Sequence, residues 1–480
     1  MAPLPGQAES TSRRRVPNQA IAAQAGVAAG CGLKTRVRDT PTICIDASAT
    51  SGEEKLSKRL SKKWLPLAVT VALGVGLVAC GDDDSSSSDD TTATADTTAT
   101  ADTTATADTT AAPVDSAAPA PSADWAANFT PWEGSKPVAC GPEEGQPLKA
   151  AWVYVGPIND GGWTQTHDEG RQAVQTHFGD KVETTYKENV PEGEQVGQVI
   201  EDLIADGNTV IFGTSFGFQD AFVAAAEKHP DVCFEFATGF KSAPNLSQYY
   251  GAAEDTDYLA GMAAGAATKV GKIGYLASFG IPEVVRGINA FTLGARAVNP
   301  DATVKIAWVN SWFDPPVERK QAEALVTAGV DVLGMKGVDS PATGDAAKAA
   351  GIPWAGYNRD NSANYGDVWL TGTQYHWDVY EIPRLQQVLD GTWTAGNYHG
   401  TIADGFVDMS TYGDLVSEET RTKIEAKKAE LAANTGGQFT GPIIDNSGKE
   451  QLAAGKQHTY GELMAMQYLV EGVDGEIPAG

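Results

Sequence analysis

The chain has 480 residues, 42% of them hydrophobic, with 35 Lys and Arg against 62 Asp and Glu for a net charge of −27. A surface this acidic repels phosphate backbones and speaks against nucleic acid as a partner. The five cysteines form no CxxC, the six histidines show no metal-ligand spacing, and no His-Glu-x-x-His, Gly-x-Ser-x-Gly or P-loop pattern occurs. No catalytic residue, metal or cofactor is therefore expected.

In chain order, residues 1–54 carry Arg13-Arg14-Arg15, Cys31 and Cys44 without a periodic pattern, and an export signal follows them. Such signals lie at the N-terminus, so 1–54 reads as a non-native extension, with translation expected to begin near Leu56 or Leu60. The signal, 55–79, has a basic run (Lys55, Lys58, Arg59, Lys62, Lys63), then 16 uncharged residues from Trp64 to Ala79. Its end, Leu77-Val78-Ala79-Cys80, resembles the lipobox of bacterial lipoproteins. That likeness implies cleavage before Cys80 and a lipid on its thiol, placing the protein on the outer face of the cell membrane. A single transmembrane anchor is the alternative, but 16 residues fall short of the roughly 20 a span requires.

The 11 basic and 5 acidic residues of 1–79 leave 24 basic and 57 acidic after the cut, a net charge of −33. Residues 80–123 begin Gly81-Asp82-Asp83-Asp84, repeat Thr-Thr-Ala-Thr-Ala-Asp from Thr91 to Asp108, and turn Pro/Ala-rich. With few large apolar side chains this stretch is expected to be a disordered tether. A pre-domain segment, 124–148, precedes the folded part. Cys140 and Cys233 are left either to pair or, for Cys233 in Val232-Cys233-Phe234, to stay as a buried thiol.

From 149 to 480 apolar runs alternate with helical periodicity. Strands are expected at Ala150–Val155, Thr209–Phe212, Val232–Ala237, Tyr249–Ala252, Lys272–Ala277, Thr303–Val309, Val330–Met335, Pro353–Tyr357 and Val368–Thr371. Helices are expected at Asp168–Phe178, Gln195–Asp206, Gln219–His229, Tyr258–Lys269, Pro282–Val298, Pro316–Ala328 and Gly344–Ala350. Alternation of this kind makes an α/β fold with parallel sheets, and its length calls for two doubly wound lobes with a ligand cleft at the strands' carboxyl ends.

Four phrases carry a family resemblance: Gly156-Pro157-Ile158-Asn159-Asp160-Gly161-Gly162-Trp163-Thr164-Gln165; Asp257-Tyr258-Leu259-Ala260-Gly261 with Gly271-Lys272-Ile273-Gly274; Asn310-Ser311-Trp312-Phe313-Asp314-Pro315; and Phe439-Thr440-Gly441-Pro442-Ile443. In order and spacing the chain resembles, over about 148–478, the basic membrane protein (BMP) family. These are lipoprotein substrate-binding components of ABC importers that include purine-nucleoside receptors. The resemblance implies a type I periplasmic-binding-protein fold: two Rossmann-like lobes, a three-segment hinge (lobe exchange near 252–258, 372–376 and 400–410) and an interlobe ligand cleft. It also implies ABC permease and ATPase subunits as partners and a monomeric, non-enzymatic receptor.

Where many members have Asp-x-x-Phe-Asn, this chain has Asp160-Gly161-Gly162-Trp163-Thr164; where they have Val-Asp-x-Asp-Gln, it has Tyr357-Asn358-Arg359-Asp360-Asn361. Their Ser-x-x-Lys turn is Thr373-Gln374-Tyr375-His376 here. The groups expected to hold a ribose become an amide and an imidazole, shifting the expectation to a free purine base such as adenine, with a nucleoside next. Sugars or amino-acid-like solutes, a surface nucleoside-processing enzyme and a sensor are the alternatives.

Trp163 and Trp312 are candidates for the flat walls of such a site, against core packing for the first and hinge packing for the second. Asp160, Thr164, Asn358 and Asp360 are candidates for edge recognition, against helix caps and turns. Ser215, Phe216 and Lys336 follow expected strands, with a solvated loop charge as the alternative for Lys336. His376 completes the set as a lone imidazole.

Overall fold

The computed structural model describes residues 125–478; the proposed signal, Cys80 and the tether lie outside them. The first sheet is laid down by β1 (Phe129–Pro131), β2 (Leu148–Val153), α1 (Trp163–Phe178), β3 (Val182–Lys187), α2 (Gln195–Ala205), β4 (Val210–Gly213), α3 (Gln219–Lys228), β5 (Cys233–Ala237) and β6 (Leu246–Gly251). The chain then crosses to a second lobe. There it forms α4 (Ala253–Ala267), β7 (Lys272–Ala277), α5 (Pro282–Val298), β8 (Thr303–Trp308), α6 (Pro315–Thr327), β9 (Val332–Lys336), α7 (Ala342–Ala350), β10 (Trp354–Gly356), α8 (Ser362–Tyr365) and β11 (Trp369–Tyr375). It returns for α9 (Asp378–Leu389) and β12 (Gly396–Gly400). A third crossing leads to β13 (Val407–Met409), α10 (Glu418–Ala433), the hairpin β14 (Ile443–Ile444) and β15 (Glu450–Leu452), α11 (Tyr460–Met464) and β16 (Val473–Asp474).

Sheet order is β1-β12-β6-β5-β4-β2-β3 in the first lobe and β13-β11-β10-β9-β7-β8-β16 in the second. Only β1 and β13 run antiparallel to their neighbours; the other pairs are parallel, with Ala150 beside Val210 and Ile273 beside Val332. In each lobe the first βα strand (β2 or β7) lies between the second and the third, so the connections reverse direction there. That reversal opens a crevice at the strands' carboxyl ends. The central strands are continuous apolar runs because helices cover both their faces: β4 and β5 are buried at every residue.

Several elements escape the sequence pattern for visible reasons. The edge strand β3 reads Val-Glu-Thr-Thr-Tyr-Lys and is fully buried only at Val182. The helix α10 buries only Ile424 and Leu431, so it has no apolar stripe to detect. Pro383 lies inside α9 and disguises it as a break. Helix α1 starts at Trp163, earlier than the Asp168 expected, because the Asp160 carboxylate holds its first turn.

The segment ahead of β2 belongs to the first lobe. β1 is its edge strand, and Trp132 donates its indole N–H to the Leu246 carbonyl at 2.9 Å. Cys140 and Cys233 form a disulfide with their Cα atoms 5.8 Å apart. In the second lobe α4 lies directly on α5. A Cβ at Gly261 would run into the Phe291 carbonyl, so the Tyr258-Leu259-Ala260-Gly261 phrase is a helix-contact signature. Among the described residues no helix is long and apolar enough to cross a membrane.

One buried polar network ties the first lobe together. Glu235 on β5 accepts from Tyr380 Oη (2.6 Å), Arg384 Nε (2.8 Å) and Trp393 Nε1 (2.7 Å). Arg384 also donates to Ser247 Oγ and the Thr394 carbonyl. Burying this charge pair is tolerable because its polar atoms are met by partners.

Candidate functional site

The turns at the switch points of the two lobes meet and enclose a narrow slot. The first lobe contributes Val155 and Trp163 from the β2–α1 turn, Thr214, Ser215 and Phe216 after β4, and Thr238 after β5. The second contributes Glu283 at the start of α5, Trp312 after β8, Gly337 and Asp339 after β9, and Tyr357 after β10. The slot holds about 340 Å³ between atoms, at the small end of ligand pockets. Trp163 and Phe216 from one lobe and Trp312 and Tyr357 from the other leave only a thin gap between them. A wider chamber of about 1580 Å³ adjoins it and shares Phe216, Thr238 and Glu283.

The lobes are in contact around this gap. Glu192 Oε1, on the first lobe, accepts from Ser215 Oγ (2.6 Å), the Gly217 N–H (2.8 Å) and, across the gap, Trp312 Nε1 (3.2 Å). Arg359 reaches Glu169 at 3.0 Å, and Tyr250 Oη donates to Glu283 Oε1 at 2.8 Å. Gly162 sits against the Asp339 carbonyl so closely that any side chain there would hold the lobes apart.

Of the residues expected from sequence, Trp163, Ser215, Phe216 and Trp312 line the slot. Trp163 is only 8% exposed. Its Nε1 donates to the Thr214 carbonyl at 2.7 Å, and its ring is braced edge-on by His167, Tyr375 and Trp377. It is therefore both packed and lining, and its orientation is fixed before any ligand arrives. Trp312 is held edge-on by Phe279.

The other candidates lie around the slot rather than on its wall. Asp160 accepts the backbone N–H groups of Gly162 (2.8 Å), Thr164 (2.8 Å) and Gln165 (3.0 Å), anchoring the start of α1. Burial pushes its pKa up, opposed by those three donors. Thr164 is fully buried beside it. Asp360 accepts from the N–H groups of Ser362 and Thr411, tying two loops together. His376 is half-buried, and its backbone N–H bonds to the Phe406 carbonyl at the second crossing.

Lys336, expected to face the ligand or solvent, is 1% exposed and does neither. Its Nζ pairs with Asp257 Oδ2 at 2.7 Å and lies 4.2 Å from the Tyr357 ring centre. It supports that ring from behind. Asn358, held in a left-handed conformation with φ of 74°, donates from Nδ2 to Asp339 Oδ1 at 3.3 Å.

Sequence reasoning missed Glu283, Asp339 and Tyr357. Asp339 and Tyr357 obey the rule that selected Lys336, a position at or just after a strand's carboxyl end, but the side chain's direction there depends on the local turn; Glu283 lies in the first turn of α5, where an acid is ordinary helix-end chemistry. Asp339 is 4% exposed, and burial pushes its pKa well up, reinforced by the charges of Asp160, Glu318 and Glu283 and opposed by the Asn358 amide. Glu283 is raised by burial too, with Lys336 and Tyr250 opposing. The Tyr250, Tyr357 and Tyr375 hydroxyls form a chain, with Tyr375 Oη 2.9 Å from each of the other two, that ends on Glu283. Chemically, the slot offers flat aromatic walls and carboxyl oxygens at the rim. Among the described residues no group of three or more His, Cys, Asp or Glu is arranged to hold a metal ion.

A family model described as ABC transporter substrate-binding protein PnrA-like matches residues 148–436. A purine-binding protein of Brucella abortus (strain 2308) is 40% identical over 331 residues, 69% of this chain and 94% of that protein. A putative ABC transporter glucose-binding protein of Haloferax volcanii is 39% identical over 339 residues, 71% of this chain and 83% of that one. The crystal structure of an ABC transporter solute-binding protein from Aeropyrum pernix K1 shares the fold, with a TM-score of 0.54 at 14% identity over 64% of this chain and 95% of that one. The two-lobed α/β architecture is thus that of periplasmic solute-binding proteins. With most of its two lobes matched by the family model, the chain belongs to the Bmp family of PnrA-like ABC transporter substrate-binding proteins, extracytoplasmic proteins that deliver a small molecule to a membrane transporter.

Proposed function

We propose that this protein is the receptor of an ABC importer for a purine, with an adenine-like base favoured over a nucleoside, held in the slot between the lobes. The observation that carries the reading is the thin gap at the switch points of both lobes, bounded by Trp163, Phe216, Trp312 and Tyr357. A planar heterocycle fills such a gap with π-faces on both sides. The purine-binding relative at 40% identity supports the same ligand class. Ligand touching both lobes stabilises the closed form, which is the signal a permease reads. The receptor binds without altering its ligand, and a lipid on Cys80 holds it near its transporter through the 80–123 tether.

A thermal-shift panel of bases, nucleosides, glucose and amino acids tests the ligand class, because a solute that binds only the folded form raises its melting point. Adenine is expected to give the largest shift. Glucose is the second reading, favoured by the 39% identical Haloferax relative, and a shift with glucose alone would establish it. Trp163→Ala should weaken purine binding by more than about 1 kcal/mol in calorimetry, the scale of a lost aromatic contact; unchanged affinity removes the indole from the site. Base release from adenosine by the purified protein would overturn the binding-only role.

A further inference from the structure

The side-chain donors around the slot are nearly all engaged. Trp163 Nε1 is committed to the Thr214 carbonyl, Trp312 Nε1 and Ser215 Oγ to Glu192, and Thr214 Oγ1 to the Val153 carbonyl. The Tyr357 hydroxyl lies in the tyrosine chain, leaving the Thr238 hydroxyl as the lining side-chain donor without a partner among the described residues. Acceptors are in surplus. Asp339 is almost wholly buried, its Oδ1 takes one long bond from Asn358, and among the described residues its Oδ2 accepts from no protein group. Glu283 likewise uses one oxygen on Tyr250 and leaves the other unmatched. Lys336 is paired with Asp257 behind the Tyr357 ring, and among the described residues no cation lines the slot.

Both unmatched oxygens belong to residues that line the slot, and an acceptor that loses water on binding without gaining a donor is costly, so a bound molecule that brings its own N–H groups is favoured. One that brings carbonyl oxygens or negative charge sets acceptor against acceptor. We propose that Asp339, held in place by Asn358, is the specificity-determining residue that reads the ligand's edge: Oδ2 accepts an exocyclic N–H and Glu283 takes a second donor, so the site selects amino-substituted flat heterocycles over oxo-substituted and anionic ones. This deepens the purine reading and rests on the slot being the ligand site, while naming which chemical edge the slot accepts. Asn358 is a positioning residue, because it acts on Asp339.

The experiment titrates the wild-type protein and the near-isosteric Asp339→Asn variant, by calorimetry, with matched amino and oxo pairs: adenine with hypoxanthine and cytosine with uracil, plus urate as an anionic probe. The wild type should prefer the amino member of a pair by at least about tenfold, the worth of one hydrogen bond to a charged or strongly polarised group, and give no heat with urate. In Asp339→Asn the ratio should shrink to within about threefold, with a smaller change in Glu283→Gln. A wild type with no amino preference, an unchanged ratio in Asp339→Asn, or no binding by any member of the panel overturns the proposal. Asp339-dependent preference within the pyrimidine pair, with no purine bound, would sustain the edge reading and sink the purine reading. Should Asp339→Asn melt before it can be titrated, the wild-type ratios and Glu283→Gln decide.

Discussion

Glu235 and Asp339 are both buried carboxyls at strand carboxyl ends or interiors of matching βα lobes, yet they are built for opposite purposes. Glu235 is met by a guanidinium, an indole and a phenol within 2.6–2.8 Å, so its charge is matched inside the first lobe. Asp339 has one amide donor at 3.3 Å and three carboxyls whose charges bear on it. The first carboxyl is finished by the fold; the second is left for something else to finish. Burial alone does not make an acid part of the slot, as Glu381 shows. It accepts from Trp152 Nε1 at 3.0 Å, leaves Oε2 without a partner among the described residues, and has its pKa pushed up to about 8, yet it lines no part of the slot. An unmatched acid marks a ligand site only where it also faces a cavity.

Glu235→Ala strands the Arg384 guanidinium in the core and should cost about 3–5 kcal/mol of stability, the scale for half of a buried ion pair. Denaturant unfolding measures this, and the amino-to-oxo ligand ratio of the folded protein should not move. A shifted ratio with intact stability would erase the distinction between the two carboxyls.

Next in size is the pH response of Glu381. Its folded pKa is raised, so the stability it contributes is full below about pH 4.5 and is lost as pH rises to about 8. Glu381→Gln keeps an acceptor for Trp152 and cannot ionise. Relative to wild type it should gain on the order of 2–4 kcal/mol between pH 5 and pH 9. Parallel stability curves for the two proteins would show that Glu381 ionises without penalty.

The smallest effect sharpens the slot itself. Glu192 is exposed, so Glu192→Ala should leave the melting point nearly unchanged. It removes the oxygen that joins Ser215 and Gly217 to Trp312 across the gap, and affinity should fall about fivefold, near one net hydrogen bond. Small-angle scattering should show a larger radius in the ligand-bound variant. Unchanged affinity and radius would mean that closure does not use this contact.

Much of this was legible in residue order. The apolar runs and the helices between them gave the βα alternation because a strand buried on both faces must be apolar throughout. The Asp160-Gly161-Gly162-Trp163 turn placed an indole at the first switch point, where the structure has it lining the slot. Edge strand β3, Pro-interrupted α9 and exposed α10 were illegible, since partial exposure and a proline both erase the period on which such reading depends.

Two doubly wound lobes and the loops that carry the candidate site follow from residue order, since periodicity is local and is written in neighbouring residues. Which side chains share the slot was settled by packing between distant segments, and the fold did it. It turned Lys336 back onto Asp257, turned Asp339 and Glu283 toward the gap, and brought Trp163 and Trp312 to one cavity from different lobes. A side chain's direction at a strand's end depends on the φ and ψ of a few turn residues, and its neighbours come from segments far away in the chain.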